Sequence, residues 1–245
     1  MRYACLLSFV GFGLFFGTIA LFVLPSLLLY YLIKPFHSRP EVIFQHLASW
    51  IYRFFFWSMP KFRLHLPDLP ELPSSAIYIS THQSHIDYPV LGCLIPDYLI
   101  LTRINFSAIP FIALVGKLLG ARFLERHDAA ALYKSYLELE TMLKIGGNVI
   151  FFAEGTRHTG AKLNPFKQGA FRLAIKTQRP IVPVVIEGTQ ALLPKSQFCL
   201  ATVESVDIRV SVLEPIRPEM FTSAKSMAHH AQELMQKEKE RLCAI

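Results

Sequence analysis

The stretch AIYISTHQSHIDYPVL, Ala76 to Leu91, decides how the rest of the chain is read. Ala76–Ser80 is an apolar run of strand length that stops at two histidines, two small polar residues and an aspartate. Apolar residues then resume. A buried polar group without a partner costs a few kcal/mol, so the cluster from His82 to Asp87 needs a chemical reason.

Further strand-length apolar runs follow at Tyr98–Thr102, Arg122–Leu124, Asn148–Phe152, Ile181–Ile186 and Asp207–Leu213. Helical patterns lie between them. One starts behind Asp128, an N-cap residue type, repeats through Leu132, Tyr136, Leu139 and Leu143, and stops at Gly146-Gly147. Others cover about Gln168–Thr177 and an amphipathic stretch from Ser223 to Leu242. Strands alternating with helices predict an α/β fold with a mixed central sheet flanked by helices. Three polar clusters, THQSHID, ERHD and AEGTRH, each follow a predicted strand. Sites in open α/β sheets gather at the carboxyl ends of strands, which predicts one crevice fed by three loops.

Ahead of this domain the chain is strongly apolar. Of the 245 residues 52% are hydrophobic, and Tyr3 to Ile33 carries no charge. As a helix that run would extend roughly 45 Å, more than a ~30 Å hydrocarbon layer needs, with Pro25 kinking or dividing it. It is read as a retained membrane anchor; a cleaved signal peptide would be shorter and end at a small-residue site. The following EVIFQHLASWIYRFFFWSMPKF has helical character and seven aromatics from Phe44 to Trp57. It suits either a membrane–water interface or a core helix. The proline-rich LPDLPELPSS is a natural linker, and the predicted division is 1–66, anchor and interfacial helix, and 67–245, the α/β domain.

The formal charge is +7, and Arg2, Lys34 and Arg39 precede the first acid, Glu41. Basic residues beside an apolar anchor suit anionic head groups and a cytosol-facing main domain, at the inner membrane in a bacterium. No nucleic-acid module is present. Cys5, Cys93, Cys199 and Cys243 are scattered, with neither CxxC spacing nor a disulfide framework.

If a helix begins soon after His82, Asp87 can fold back onto the imidazole. A carboxylate on one ring nitrogen fixes the tautomer and frees the other nitrogen as a general base; a structural hydrogen-bond role is the alternative. His82, His85 and Asp87 could also be metal ligands in a hydrolase, although no further motif completes a shell. Ser84 lacks the G-x-S-x-G elbow of a nucleophilic serine. Arg122 and Arg126 in the second cluster, and Gly155, Thr156 and Arg157 in the third, offer what a phosphate needs: close backbone approach, a hydroxyl and forked donors. Glu154 would position that arginine or help bind an acceptor. GKLLG at 116–120 is not a phosphate-binding Walker loop.

Together these residues resemble the glycerolipid (lysophospholipid) acyltransferase family. HQSHID is similar to its His-x-x-x-x-Asp motif, GARFLER to Gly-x-x-Phe-Ile-x-Arg, FAEGTR to Phe-Pro-Glu-Gly-Thr-Arg and IVPVVI to a fourth block centred on Pro183. The blocks occur in family order between Ile77 and Gly188. Departures are Thr81 for asparagine, His85 for an aromatic, Ala153 for proline and His158 for serine. The resemblance implies transfer of an acyl group from acyl-CoA or acyl-carrier protein to a membrane lysophospholipid, the typical acceptor being 1-acylglycerol-3-phosphate. It implies His82 as base, Asp87 as its support, and Arg126, Arg157, Gly155 and Thr156 on the acceptor phosphate. No metal, bound cofactor or acyl-enzyme is implied. An acyltransferase with a different lyso-lipid acceptor is the alternative within this chemistry; the class-level alternatives are the metal-dependent hydrolase using His82, His85 and Asp87 and a lipid-binding protein that retains the fold without catalysis.

Overall fold

In a computed structural model, residues 25–26, 28–37, 39–59, 61–67, 72–103, 114–116, 118–124, 128–158, 160–194 and 205–244 are described. The strands are β1 (Phe62–His65), β2 (Ile77–Ser80), β3 (Tyr98–Arg103), β4 (Ala121–Leu124), β5 (Asn148–Phe152), β6 (Ile181–Glu187) and β7 (Val206–Val212). The helices are α1 (Glu41–Ser58), α2 (Asp87–Leu94), α3 (Ala129–Lys144), α4 (Gly169–Thr177), α5 (Thr189–Leu192) and α6 (Ala224–Cys243).

Among the described residues, seven strands form one sheet in the order β1-β7-β6-β2-β5-β3-β4. The five from β6 to β4 are mutually parallel; β7 runs antiparallel to β6, and β1 pairs in parallel with β7. The sheet is therefore mixed, as its alternation with helices predicts. Its central strands are buried on both faces, so they read as continuous apolar runs. Tyr78, Ile150, Val182, Val184 and Ile186 point into one core with residues of α1 and α2. Ile77, Ile79, Val149, Ile181 and Val185 point into the other, with residues of α3, α4 and α6.

Local signals place the helices. The Asp128 carboxylate caps α3, accepting from Ala130 N and Ala131 N, as its position predicts. Ser223 caps α6 through Ser226 N. On α1 the buried Gln45 clamps the helix to the sheet: its amide donates to Tyr98 O and Leu119 O and accepts from Tyr98 N.

The strand β1 was not legible in sequence. It has four residues, its burial alternates, and its partner Val206–Arg209 lies far away in the chain. It precedes the proline-rich linker and adds to the same sheet as the rest.

The uncharged run from Tyr3 to Ile33 falls largely outside the described residues; 28–33 are helical. Among the described residues no helix is long and apolar enough to cross a membrane. The aromatic helix α1 divides its rings between the two predicted environments. Phe44 and Phe56 are buried, while Ile43, Leu47, Trp50, Phe54 and Trp57 are exposed. The exposed set recurs at helical spacing and forms one apolar stripe.

Candidate active site

His82 follows the carboxyl end of β2, Glu154 that of β5, and Thr189 that of β6. Those strands are neighbours, in the order β6-β2-β5, so their loops converge. Thr81 ties the end of β2 to β6: its hydroxyl donates to Ile186 O at 3.0 Å and accepts from Ile186 N at 2.8 Å.

Asp87 opens α2 with no exposed side-chain surface. Its Oδ2 accepts from His82 Nδ1 at 2.8 Å, Gln83 N at 2.7 Å and Ser84 N at 2.9 Å; its Oδ1 accepts from Thr189 Oγ1 at 2.5 Å. Four donors converge on a group acting only as acceptor. The geometry assigns the proton of His82 to Nδ1, leaving Nε2 as the basic nitrogen. The imidazole is 12% exposed and lies stacked on Phe152, centroids 3.8 Å apart, with Tyr88 edge-on at 5.9 Å. Its reactive edge is oriented from three sides.

Gly188 makes the Thr189 contact possible. Its φ is +97°, and a Cβ there would collide with the Asp207 carbonyl, so a larger residue could not turn the chain at this point.

Glu154 points inward. It is 2% exposed, and its Oε1 accepts from His82 N at 3.3 Å and from His158 Nδ1 at 2.8 Å, while Oε2 accepts from Asn164 N at 2.8 Å. Its carboxylate is thus engaged in holding loops together. Gly155, at φ +68°, turns the chain, its N–H donating to Phe152 O at 2.9 Å. Thr156 and Arg157 are half-buried on the same loop. The His85 imidazole is pushed down to about 4 by burial first, then by the positive charge of Arg157. It is neutral at pH 7.

The predicted crevice therefore unites the first and third clusters. The second follows β4, which lies three places from β2, about 14 Å along the sheet; Glu125, Arg126 and His127 lie outside the described residues. Arg122 pairs with Glu138 at 2.7 Å, tying β4 to α3. Pro183 lies buried within β6 opposite Ile79, its carbonyl accepting from Leu213 N at 2.9 Å. Among the described residues no three His, Cys, Asp or Glu side chains gather as a metal-ligand set.

A family model described as Acyltransferase matches residues 62–187. The chain belongs to the acyltransferase family. Relatives within it include the chloroplastic 1-acyl-sn-glycerol-3-phosphate acyltransferase BAT2 of Brassica napus, 32% identical over 160 residues, covering 64% of this chain and 46% of that one. The Saccharomyces cerevisiae 1-acyl-sn-glycerol-3-phosphate acyltransferase is 32% identical over 197 residues, 74% of this chain and 62% of that one. The Haemophilus influenzae enzyme of the same name is 26% identical over 194 residues, 78% and 79% of the two chains. The chain spans less than half the length of the chloroplastic relatives it matches. The crystal structure of the Thermotoga maritima 1-acyl-sn-glycerophosphate (LPA) acyltransferase PlsC shares the fold, with a TM-score of 0.80 at 22% identity, covering 100% of this chain and 98% of that one.

In this acyltransferase fold several contacts escape motif reading. Phe152 under the imidazole and Thr189 on Asp87 are two of them. A signal existed for Thr189: Glu187-Gly188-Thr189 at the end of β6 repeats the Glu154-Gly155-Thr156 triplet that follows β5.

Proposed function

We propose that this member of the acyltransferase family transfers a fatty acyl group from acyl-CoA or acyl-carrier protein to the free hydroxyl of 1-acylglycerol-3-phosphate, forming phosphatidic acid. The His82–Asp87 pair carries the reading, because it presents one basic nitrogen from a half-buried, tautomer-defined imidazole. The names of the relatives supply the acceptor. His82 Nε2 takes the proton of the acceptor hydroxyl as its oxygen attacks the thioester carbonyl. Asp87 supports the imidazolium that forms. Collapse of the tetrahedral species breaks the C–S bond, and the imidazolium returns its proton to the departing thiolate. Ester and thiol are the products, with no acyl-enzyme.

In this reading Arg157, with Gly155, Thr156 and Arg126, faces the acceptor phosphate, and Glu154 holds the loops that carry His82 and Arg157. Neutral His85 beside Arg157 adds no competing charge. Arg157→Ala removes a charge-assisted contact of about 1.5–3 kcal/mol. The expected result is a KM for the acceptor raised about tenfold to a hundredfold, with the KM for the donor unchanged; wild-type kinetics would remove Arg157 from the site. The assignment as a whole is tested with purified protein, labelled acyl-CoA and a panel of lysophospholipids. Phosphatidic acid from lysophosphatidate is the expected main product, and exclusive acylation of another lyso-lipid would overturn the acceptor.

Membrane association belongs to the same reading. The stripe Ile43, Leu47, Trp50, Phe54 and Trp57 suits the interface where a lyso-lipid resides. Both tryptophans of the chain lie on it, so intrinsic fluorescence reports on it directly. Anionic vesicles should blue-shift the emission and shield it from iodide. Equal quenching with and without bilayer would remove this stripe from the interface.

A further inference from the structure

The buried positions of α6 are Met227, Ala228, Ala231, Met235, Lys239 and Leu242. One of them is charged, and Lys239 is 3% exposed. Desolvating an ammonium costs several kcal/mol unless a partner answers it, so its contacts define its purpose. Lys239 Nζ donates to Glu187 Oε2 at 2.8 Å, at the carboxyl end of β6. That same oxygen accepts from Gln83 Nε2 at 2.8 Å, the residue next to His82. Gln83 Nε2 also lies 3.3 Å from His158 Nε2, and His158 Nδ1 lies 2.8 Å from Glu154 Oε1. The chain ends where Glu154 Oε1 accepts the His82 N–H. Gln83, His158 and Glu154 are 1%, 3% and 2% exposed.

One arrangement of protons satisfies every donor of this chain, with Gln83 Oε1 left as a buried acceptor that no described residue meets. A carboxylate held by an ammonium accepts only, so Gln83 must turn its nitrogen to Glu187. The second hydrogen of that nitrogen faces His158 Nε2, which is then the bare nitrogen, and His158 Nδ1–H donates to Glu154. A flipped Gln83 would set its oxygen against the carboxylate of Glu187. Gln83 is pinned twice, since its backbone N–H also donates to Asp87 Oδ2. Gln83 thus touches Asp87, which accepts from the imidazole, and through His158 reaches Glu154, which accepts from the His82 N–H.

We propose that Lys239, Glu187, Gln83 and His158 are positioning residues, a buried polar relay by which the C-terminal helix sets the aim of His82. The relay rests on the reading of His82 as the base. A shift near 1 Å at a reacting group can cost about a hundredfold in rate, so a partial loss of aim is visible in kcat.

The test compares kcat and both KM values of purified full-length Gln83→Leu, Lys239→Met, the double variant Glu187→Gln/Lys239→Met, and His82→Ala. Gln83→Leu is expected to lower kcat about 10- to 100-fold with each KM within about twofold. Lys239→Met leaves a carboxylate without its counter-charge and lowers kcat likewise. The double variant removes both charges while the new amide oxygen still accepts from Gln83, and its kcat should return to within about threefold of wild type. Where Lys239→Met does not fold, Gln83→Leu and the double variant carry the same expectations. Wild-type kcat in folded Gln83→Leu, or a double variant as slow as Gln83→Leu, overturns the relay. A purely structural role would lower melting temperature with kcat per folded molecule intact. Retained activity in His82→Ala overturns the base assignment instead, whereas inactive His82→Ala beside wild-type Gln83→Leu overturns the relay alone.

Discussion

With His82 replaced by alanine, acyl transfer falls by about 10²–10⁴-fold in kcat/KM, the usual worth of a positioned general base. The fold survives. Asp87 keeps Gln83 N, Ser84 N and Thr189 Oγ1 as donors, so no buried carboxylate is left unanswered. The lost stacking on Phe152 is worth about 0.5–1.5 kcal/mol, which in a chain of this size lowers the melting temperature by about 5 °C at most. Rate and melting are measured on one preparation. A variant retaining a tenth of the wild-type rate would end the assignment of His82 as base.

The second large effect is at Asp87, where two substitutions separate chemistry from architecture. In Asp87→Asn the backbone donors of Gln83 and Ser84 require an oxygen at the position of Oδ2, so the new NH₂ turns to Thr189. The hydroxyl there can rotate to accept. His82 keeps its tautomer but loses the charge that supports its protonated form, a term of about 1.5–3 kcal/mol. The expected loss is about 10²-fold in kcat, with melting near wild type. Asp87→Ala should be as slow or slower, and also unstable. It strands buried donors at about 1–3 kcal/mol each, lowering the melting temperature by about 10 °C or more. Equal melting of the two variants would contradict the four-donor description, and full activity in Asp87→Asn would remove its charge from the mechanism.

Much of the sheet was legible because two-sided burial writes apolar runs into the chain. Ile77–Ser80, Asn148–Phe152 and Ile181–Glu187 lie within a residue or so of their predicted limits. The Asp128 cap was legible because its cause is local, two backbone donors in the next turn. By contrast β1 is short, alternates in burial and takes its hydrogen bonds from a strand at the other end of the chain. Local pattern cannot register such a partner.

At the site the division is similar. The spacing of His82 and Asp87 predicted their contact, since one turn at the head of α2 joins them. Its place in the motif points Glu154 toward an arginine or the acceptor, whereas its oxygens accept from His82 N, His158 Nδ1 and Asn164 N. Nothing in the local sequence separates Lys239 from the other basic residues of its amphipathic helix; the packing of α6 places it on the core side.

The amino-acid order alone determined the α/β alternation, the loops that carry polar groups, and a histidine within one turn of a carboxylate. These depend on neighbours within a few residues, where backbone geometry leaves little choice. The tertiary structure alone decided that β6, β2 and β5 stand side by side, and so that Thr189 and Glu187 reach a loop about a hundred residues before them, with Lys239 of α6 behind Glu187. Such contacts arise from the burial of apolar faces, which fixes which strands adjoin, and buried polar groups must then find partners among whatever that packing brings near.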